Sequence, residues 1–440
     1  MTERAQREEL AASAVSGLGK RGVRDCKARV VSSAESSLEW RDGSLDALSG
    51  SSSSRLEVTL FRNGQYTVQS TGDLRPKEVA GFLDDAVAFL SLMPRDPFRT
   101  PPDPALQGAF TGELGVLDPG SADTTLAERR ETIASMYDRA RSSDPRVVDA
   151  VATSAERRSV IAVAYGSGFS GCHEQSEFSL SLTASALAPD GSRPGGNRFA
   201  AACLRSDLPD PAVVVDAAIA RAVGRIGERK LPSGAYDLVF RNEVASFAVN
   251  PFVVGLNGWS LDEKRSIYAG KRGTAVASSA FTLVDDPTLR GGLGSIGFDE
   301  DGFPARKLTL VDRGTLENYY IGWYYSRKLR ERPTTGNRTN AVVVPGSESL
   351  ATLIAGVDRG ILVEGLNGGN SNPATGDFSV GISGFLIERG TLTVPVHEMV
   401  AAGNFSSFFA TLDAVANDPD TSTPYRAPSL RFRGVTVSGL

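Results

Sequence analysis

Apolar residues recur along this chain with two different periods, and the change from one to the other marks its elements. Residues 3–18 place Leu10, Ala14, Val15 and Leu18 on one side of a helix that stops at Gly19. From Cys26 to Thr71 the period becomes two. There the run from Arg55 to Phe61 alternates, Asn63-Gly64 follows, and Gln65 to Val68 alternates again, which predicts a hairpin. Asp42-Gly43 marks an earlier turn of the same kind. Residues 76–92 return to a helical stripe, with Val79, Phe82, Leu83, Ala86, Phe89 and Leu90 suited to one face of that sheet. Prolines between Pro94 and Pro104 exclude helix and predict an extended passage.

Further along, Thr125 and Glu128 form a capping box that opens a helix through about Arg141. Strand-like runs separated by glycine-rich turns fill residues 147–204. Asp210-Pro211 reads as a cap followed by proline at the first helical position, starting a helix to about Ile226. Residues 230–234, with Pro232 and Gly234, are the candidate domain boundary. Beyond it, strands are expected at 236–240, 274–283, 341–344, 361–363 and 385–396, and helices at 244–256, 316–329, 349–355 and 406–415. Runs of strands with helices set to one side predict an α+β fold, not an alternating parallel series. At 440 residues the chain exceeds what one core usually serves. The expected organisation is a mixed α/β domain over 1–230 and an antiparallel, curved sheet with packed helices over 231–440.

Composition changes this picture mainly by exclusion. A net charge of −5 with acids and bases interspersed offers no concentrated basic surface for nucleic acid. No apolar run approaches the ~20 residues of a membrane span. The polar start, Met1 to Glu9, does not read as a signal peptide, so the expected compartment is the cytoplasm. Cys26, Cys172 and Cys203 are odd in number and widely spaced, giving neither a disulfide framework nor a thiolate zinc site.

Candidate chemistry is sparse. Only two histidines exist, His173 and His397, and each precedes a glutamate without a second histidine four residues on, as a zinc-protease helix requires. Cys172 and His173 are neighbours on a predicted strand, point to opposite faces and oppose joint ligation. Both histidines read as solvated, one in a turn and one at a strand end. Gly166 to Gly171 lacks the Gly-Lys-Ser/Thr ending of a phosphate loop. The Asp285-Asp286-Pro287 pair reads as a strand-end turn, and Asp299 to Gly302 as an acidic β-turn without the spaced ligands of a calcium loop.

Short stretches in the second half resemble the TldD/PmbA family, and its PmbA (TldE) branch in particular. In family order they are Asp285-Asp286-Pro287, Phe298 to Gly302, Thr335-Gly336-Asn337-Arg338, Gly360 to Val363, Asn372 with Gly376 to Ser379, Pro395 to Glu398, Ala402 to Phe405, and Ser429-Leu430 to Gly439. Arg41 to Gly43, the Asn63-Gly64 hairpin and Ser70 to Leu74 match more loosely. The resemblance implies peptide-cleaving complexes whose TldD-type subunit carries zinc on a His-Glu-x-x-x-His helix. That helix would fall near residues 244–258, where this chain has no His, Asp, Glu or Cys. Glu243, just ahead of it, reads as a charge favourable to the helix N-terminus.

The resemblance therefore implies a non-catalytic TldE-like subunit that helps enclose unfolded or modified peptides. No cofactor is expected in this chain, with zinc in a TldD-type partner of a heterodimer, or otherwise a homodimer. The peptide- or partner-facing candidates are Thr335, Gly336, Asn337, Arg338, Asn372 and Asp377. Tight turns that hold the sheet are the competing reading of the same loops. Two alternatives stay open: a stand-alone hydrolase with an unrecognised site, and a homodimeric peptide-binding protein that has lost catalysis.

Overall fold

The structure, a computed structural model, describes residues 2–120 and 125–440, and its elements are those of the described residues. Helix α1 (Glu3–Lys20) opens on Thr2, whose hydroxyl accepts from the Ala5 N–H. Strands β1 (Cys26–Arg41), β2 (Ser44–Arg62) and β3 (Gln65–Thr71) then form an antiparallel meander. Both connections are two residues long. Asp42, Gly43, Asn63 and Gly64 all have positive φ, between 50° and 80°, because only such primed turns match the twist of the flanking strands. Helix α2 (Pro76–Leu90) and helix α3 (Leu126–Ser143) follow, the latter opened by the Thr125–Glu128 capping box. Strands β4 (Val147–Tyr165), β5 (Ser170–Ala186) and β6 (Gly195–Ala202) complete a six-stranded antiparallel sheet in the order β3-β2-β1-β4-β5-β6. Helix α4 (Pro211–Gly224) closes this half, capped by Asp210.

The four helices cover one face of that sheet. Ala28, Val30, Leu56, Val58 and Leu60 pack under α1 and α2, while Leu38, Ala152, Leu182 and Ala184 pack under α3 and α4. Because side chains alternate along a strand, Lys27 and Arg29 stand on the opposite face. The second half of the chain covers one end of it.

That second half contains β7 (Gly234–Phe240), α5 (Asn242–Gly255), α6 (Gly258–Asp262), β8 (Leu283–Asp285), β9 (Leu308–Asp312), β10 (Thr315–Leu316) and α7 (Trp323–Leu329). After these come β11 (Ala341–Val343), α8 (Leu350–Ala355), β12 (Arg359–Ser371), β13 (Asp377–Glu388), β14 (Thr391–Asn404) and α9 (Phe405–Phe408). Strands β15 (Leu412–Val415), β16 (Tyr425–Arg426) and β17 (Leu430–Ser438) finish it. One sheet runs β10-β9-β8-β11-β16, the other β14-β13-β12-β7-β17-β15. The latter curls until Val400 and Ala401 of β14 pair with β17, so β7, β12, β13, β14 and β17 form a closed ring of pairings.

The α+β class and curved sheet expected from the sequence are present, with differences of detail. Two pairings, β7 with β12 and β11 with β16, are parallel. The run 274–283 enters a strand only at Leu283. Helix α7 begins at Trp323 and not at 316, because the backbone before it is already committed: Leu316 N donates to the Thr274 carbonyl and Tyr320 N to that of Leu256. The run 385–396 is broken by a turn at Arg389-Gly390, both with positive φ. Residues 406–415 are not one helix. Helix α9 ends at Phe408, and Leu412 to Val415 pair with β17 instead, a tertiary ladder overriding a local pattern.

The core of this half is aromatic. Phe252 on α5 is fully buried, its ring centroid 4.4 Å from that of Phe409, 4.8 Å from Tyr268 and 5.0 Å from Phe281. Phe408 stacks on Phe432 of β17 at 3.9 Å. Removing the Phe252 ring leaves a cavity its rigid neighbours cannot fill. Phe252→Ala is expected to cost about 3–5 kcal/mol, read as a fall in the urea midpoint at an unchanged slope.

Candidate functional site

Between the helix-free face of the first sheet and the second half lies a cavity of about 430 Å³. Its floor is strand: Lys27 and Arg29 of β1, Thr59 and Phe61 of β2, Ile161 of β4 and His173 of β5. Ladder register assembles these residues, since Lys27 stands opposite Thr59 and Ile161 opposite His173. The proline-rich passage contributes Arg99 and Thr100 at one side.

The roof comes from the turn at 299–302, the start of α7 and the loop 335–338. In the turn at 299–302, the Asp299 carboxylate accepts from the Asp301 and Phe303 N–H groups, both at 2.9 Å. Asp301 in turn accepts from the Trp323 N–H at 2.7 Å, satisfying one of the free donors at the start of α7. The loop 335–338 is pinned at both ends. Before it, the Thr334 hydroxyl accepts from Ile321 N; after it, Thr339 donates through N and Oγ1 to the fully buried Asp285, at 2.8 and 2.6 Å. Gly336 passes so near Gly322 that a β-carbon there would stand 3.1 Å from the Gly322 α-carbon.

This environment perturbs its ionisable groups. Burial pushes Asp299 up to about 7, reinforced by the neighbouring Asp301 charge. Burial also raises Asp301, and it takes Asp285 up to about 6 despite the hydrogen bonds from Thr339 and Tyr320. His173 is buried and its pKa lowered by that burial, so it sits in the cavity wall as a neutral imidazole.

Of the residues singled out from sequence, Thr335, Gly336, Asn337 and Arg338 line this cavity. Asn337 Oδ1 accepts from Asn257 Nδ2 at 3.1 Å, and the Arg338 guanidinium lies 4.5 Å from the Tyr425 ring centroid. Asn372 and Asp377 are elsewhere, exposed in the β12–β13 turn. There Asn372 N donates to the Asp377 carbonyl, and the Asp377 carboxylate accepts from Asn404 and is held below the usual range by that bond. His173 is not a solvated turn residue, because it lies mid-strand. His397 likewise lies within β14, half-buried. Asp286 does cap the expected turn, accepting from Thr288 N, but Asp285 is a buried anchor and not part of it.

Lys27, Arg29, Arg99 and the Trp323-Tyr324 pair also line the cavity, although nothing in the motifs singled them out. The alternation of Lys27 and Arg29 with buried Ala28 and Val30 was the available signal, because it gives one strand a charged face.

Two family models match the chain: the PmbA/TldA metallopeptidase central domain over residues 119–226 and the C-terminal domain over 233–439. A crystal structure from Bacteroides thetaiotaomicron, described as a candidate modulator of DNA gyrase, is 31% identical, covers 100% of both chains and superposes with a TM-score of 0.94. The chain belongs to the PmbA/TldD family. Among PmbA/TldD relatives, the metalloprotease PmbA of Escherichia coli O157:H7 is 24% identical over 92% of this chain and 90% of that protein. TldE from Thermococcus kodakarensis shares the fold, with a TM-score of 0.85 at 19% identity, covering 98% of this chain and 100% of that one.

The family's metallopeptidase chemistry raises the question of whether α5 fits zinc. It does not. Zinc takes imidazole, thiolate or carboxylate donors, and residues 244–258 supply none. Glu243 at the head of α5 is held by Arg198 of β6 and Arg221 of α4. Among the described residues, no three His, Cys, Asp or Glu side chains are grouped to hold a metal ion.

The raised carboxyl pKa values make a pH prediction. Asp285 and Asp299 bind a proton more tightly folded than unfolded, so their contribution is full below the ordinary aspartate value of 3.8 and is lost as pH rises through about 6 and about 7. Asp299→Asn keeps an acceptor for the turn but removes one titration. Its urea midpoint is expected to fall less than that of the parent between about pH 4.5 and about pH 7.5.

Proposed function

We propose that this chain is the non-catalytic, TldE-like subunit of a zinc-dependent peptidase, pairing with a TldD-type partner that carries the metal and acting on unfolded or modified peptides. The observation that carries this reading is the composition of α5. The helix is well formed and seated on a full aromatic core, yet where the family's zinc helix would fall it presents Asn250, Pro251, Val253 and Val254. Its scaffold has been kept without the donors that activate a water molecule.

Further support comes from how Glu243 is employed. A lone carboxylate near a helix start could act as a general base, but here two guanidiniums hold it. Such pairing occupies both carboxylate oxygens, one with each guanidinium. The role of Glu243 is to tie α5 to β6 and α4 across the two halves of the chain.

In this reading the loop 335–338 and the cavity beneath it face peptide, and the partner supplies cleavage. Purification of the tagged chain from its native cells is expected to yield a stoichiometric second protein, bound zinc, and cleavage of an unstructured peptide that a chelator abolishes. A chain that emerges alone and metal-free yet still cleaves peptide would overturn the proposal in favour of a stand-alone hydrolase. A homodimer that binds peptide without cleaving it would favour the catalytically silent binding protein.

A further inference from the structure

The cavity beneath the loop 335–338 carries an imbalance of partners that the fold does not need. Lys27, Arg29, Arg99 and Arg338 all line it, and among the described residues none of the four forms a salt bridge. Lys27 donates to the Glu300 carbonyl and Arg338 to the Thr339 carbonyl, both neutral acceptors. Arg29 makes no side-chain hydrogen bond among the described residues, although Glu57 stands opposite it in the ladder.

Arg99 is the most informative of the four. Its guanidinium lies between two rings, 4.3 Å from the centroid of Tyr66 and 3.6 Å from that of Tyr324. Asp96, the neighbouring carboxylate, is committed elsewhere: one oxygen accepts from Phe98 N and the other from the Tyr324 hydroxyl. Stacking between rings fixes the plane of a guanidinium and leaves its edge, which carries the N–H fork, for an in-plane acceptor. A carboxylate accepts such a fork through two parallel hydrogen bonds.

The charge count narrows the ligand. Lys27, Arg29, Arg99 and Arg338 outnumber Asp299, Glu300 and Asp301, and burial favours the neutral form of the Asp299 and Asp301 carboxyls, so the lining is net positive and suits an anionic group such as a carboxylate. Alongside the cations stand Phe61, Phe298 and Trp323, an apolar surface for a side chain. A volume of about 430 Å³ lies within the range of small-ligand sites and is too small for a folded partner.

We infer that this cavity is a binding site for the C-terminal end of a peptide, with Arg99 and Arg29 taking the terminal carboxylate and the aromatic wall taking the last side chain. The choice of a peptide rests on the proposed function, whereas the preference for an anionic, carboxylate-type end rests on the cavity itself.

The test uses the purified full chain and the hexapeptide Gly-Ser-Ala-Gly-Ser-Phe in two forms, free acid and C-terminal amide. Binding is followed by calorimetry and by tryptophan fluorescence, since Trp323 lies in the wall. The free acid is expected to bind at least about tenfold more tightly than the amide, because the amide forfeits a charge-assisted pair. Arg99→Gln and Arg29→Gln, each checked for an unchanged melting temperature, are expected to erase most of that difference without weakening the amide. Equal affinity for acid and amide, or no binding of either at about 1 mM, would overturn the inference.

This outcome is separable from that of the proposed function. Acid-selective binding by a chain that purifies without a zinc-bearing partner leaves the cavity assignment standing and removes the subunit reading. A partner and chelator-sensitive cleavage without acid selectivity do the reverse.

Discussion

Phe252 stands where the second half of the chain converges, and its ring contacts set the position of much that lies beyond it. Through Tyr268, Phe281 and Phe409 it fixes α5 against the segment after α6 and the segments that lead into β8 and β15. The end of α5 then delivers Asn257, whose amide meets Asn337, and Gly258, whose N–H donates to the Tyr320 carbonyl. Gly258 has no room for more: a β-carbon there would come within 2.8 Å of Tyr325. Dispersion between closely packed rings falls off within a fraction of an ångström. A shift of α5 therefore cannot stay local, and it would carry the loop 335–338 with it.

A second constraint acts where the halves meet. Strand β1 alternates small apolar residues toward its helices with Lys27 and Arg29 toward the other half. Burying those cations dry, without counter-charges, would cost several kcal/mol each. The interface keeps them half-exposed around a hollow, and the acids that approach them spend their oxygens on backbone N–H groups at Asp301, Phe303 and Trp323. The cavity is thus a consequence of putting a charged strand face against the second half of the chain without neutralising it.

Much of the first sheet was legible in the sequence, because strong local signals governed it. Asn63-Gly64 and Asp42-Gly43 leave few conformations other than primed turns, and Thr125 with Glu128 satisfies helix donors that water would otherwise take. The loop 335–338 was legible only through family resemblance, since Thr-Gly-Asn-Arg carries no periodic signal. Residues 406–415 misled because phenylalanine and alanine tolerate helix, whereas the ladder from Leu412 to Phe432 is set by a strand that comes later in the chain. The cavity could not be foreseen, because Lys27, Arg99, His173 and Trp323 meet through strand register and the packing of the two halves, and not through spacing.

The closed ring of strands also bears on how the protein is made. Strand β7 is synthesised early in the second half, but its ladder neighbours are β12, more than a hundred residues later, and β17, which spans Leu430–Ser438. Such distant pairings make folding slow, since chain entropy must be surrendered before contacts repay it. On the ribosome, β7 must therefore wait with one edge bare until almost the whole chain has emerged. For most of its synthesis this half is an open sheet without its final stave, dependent on the first sheet, whose last strand β6 precedes β7 in the chain, as the one finished surface beside it.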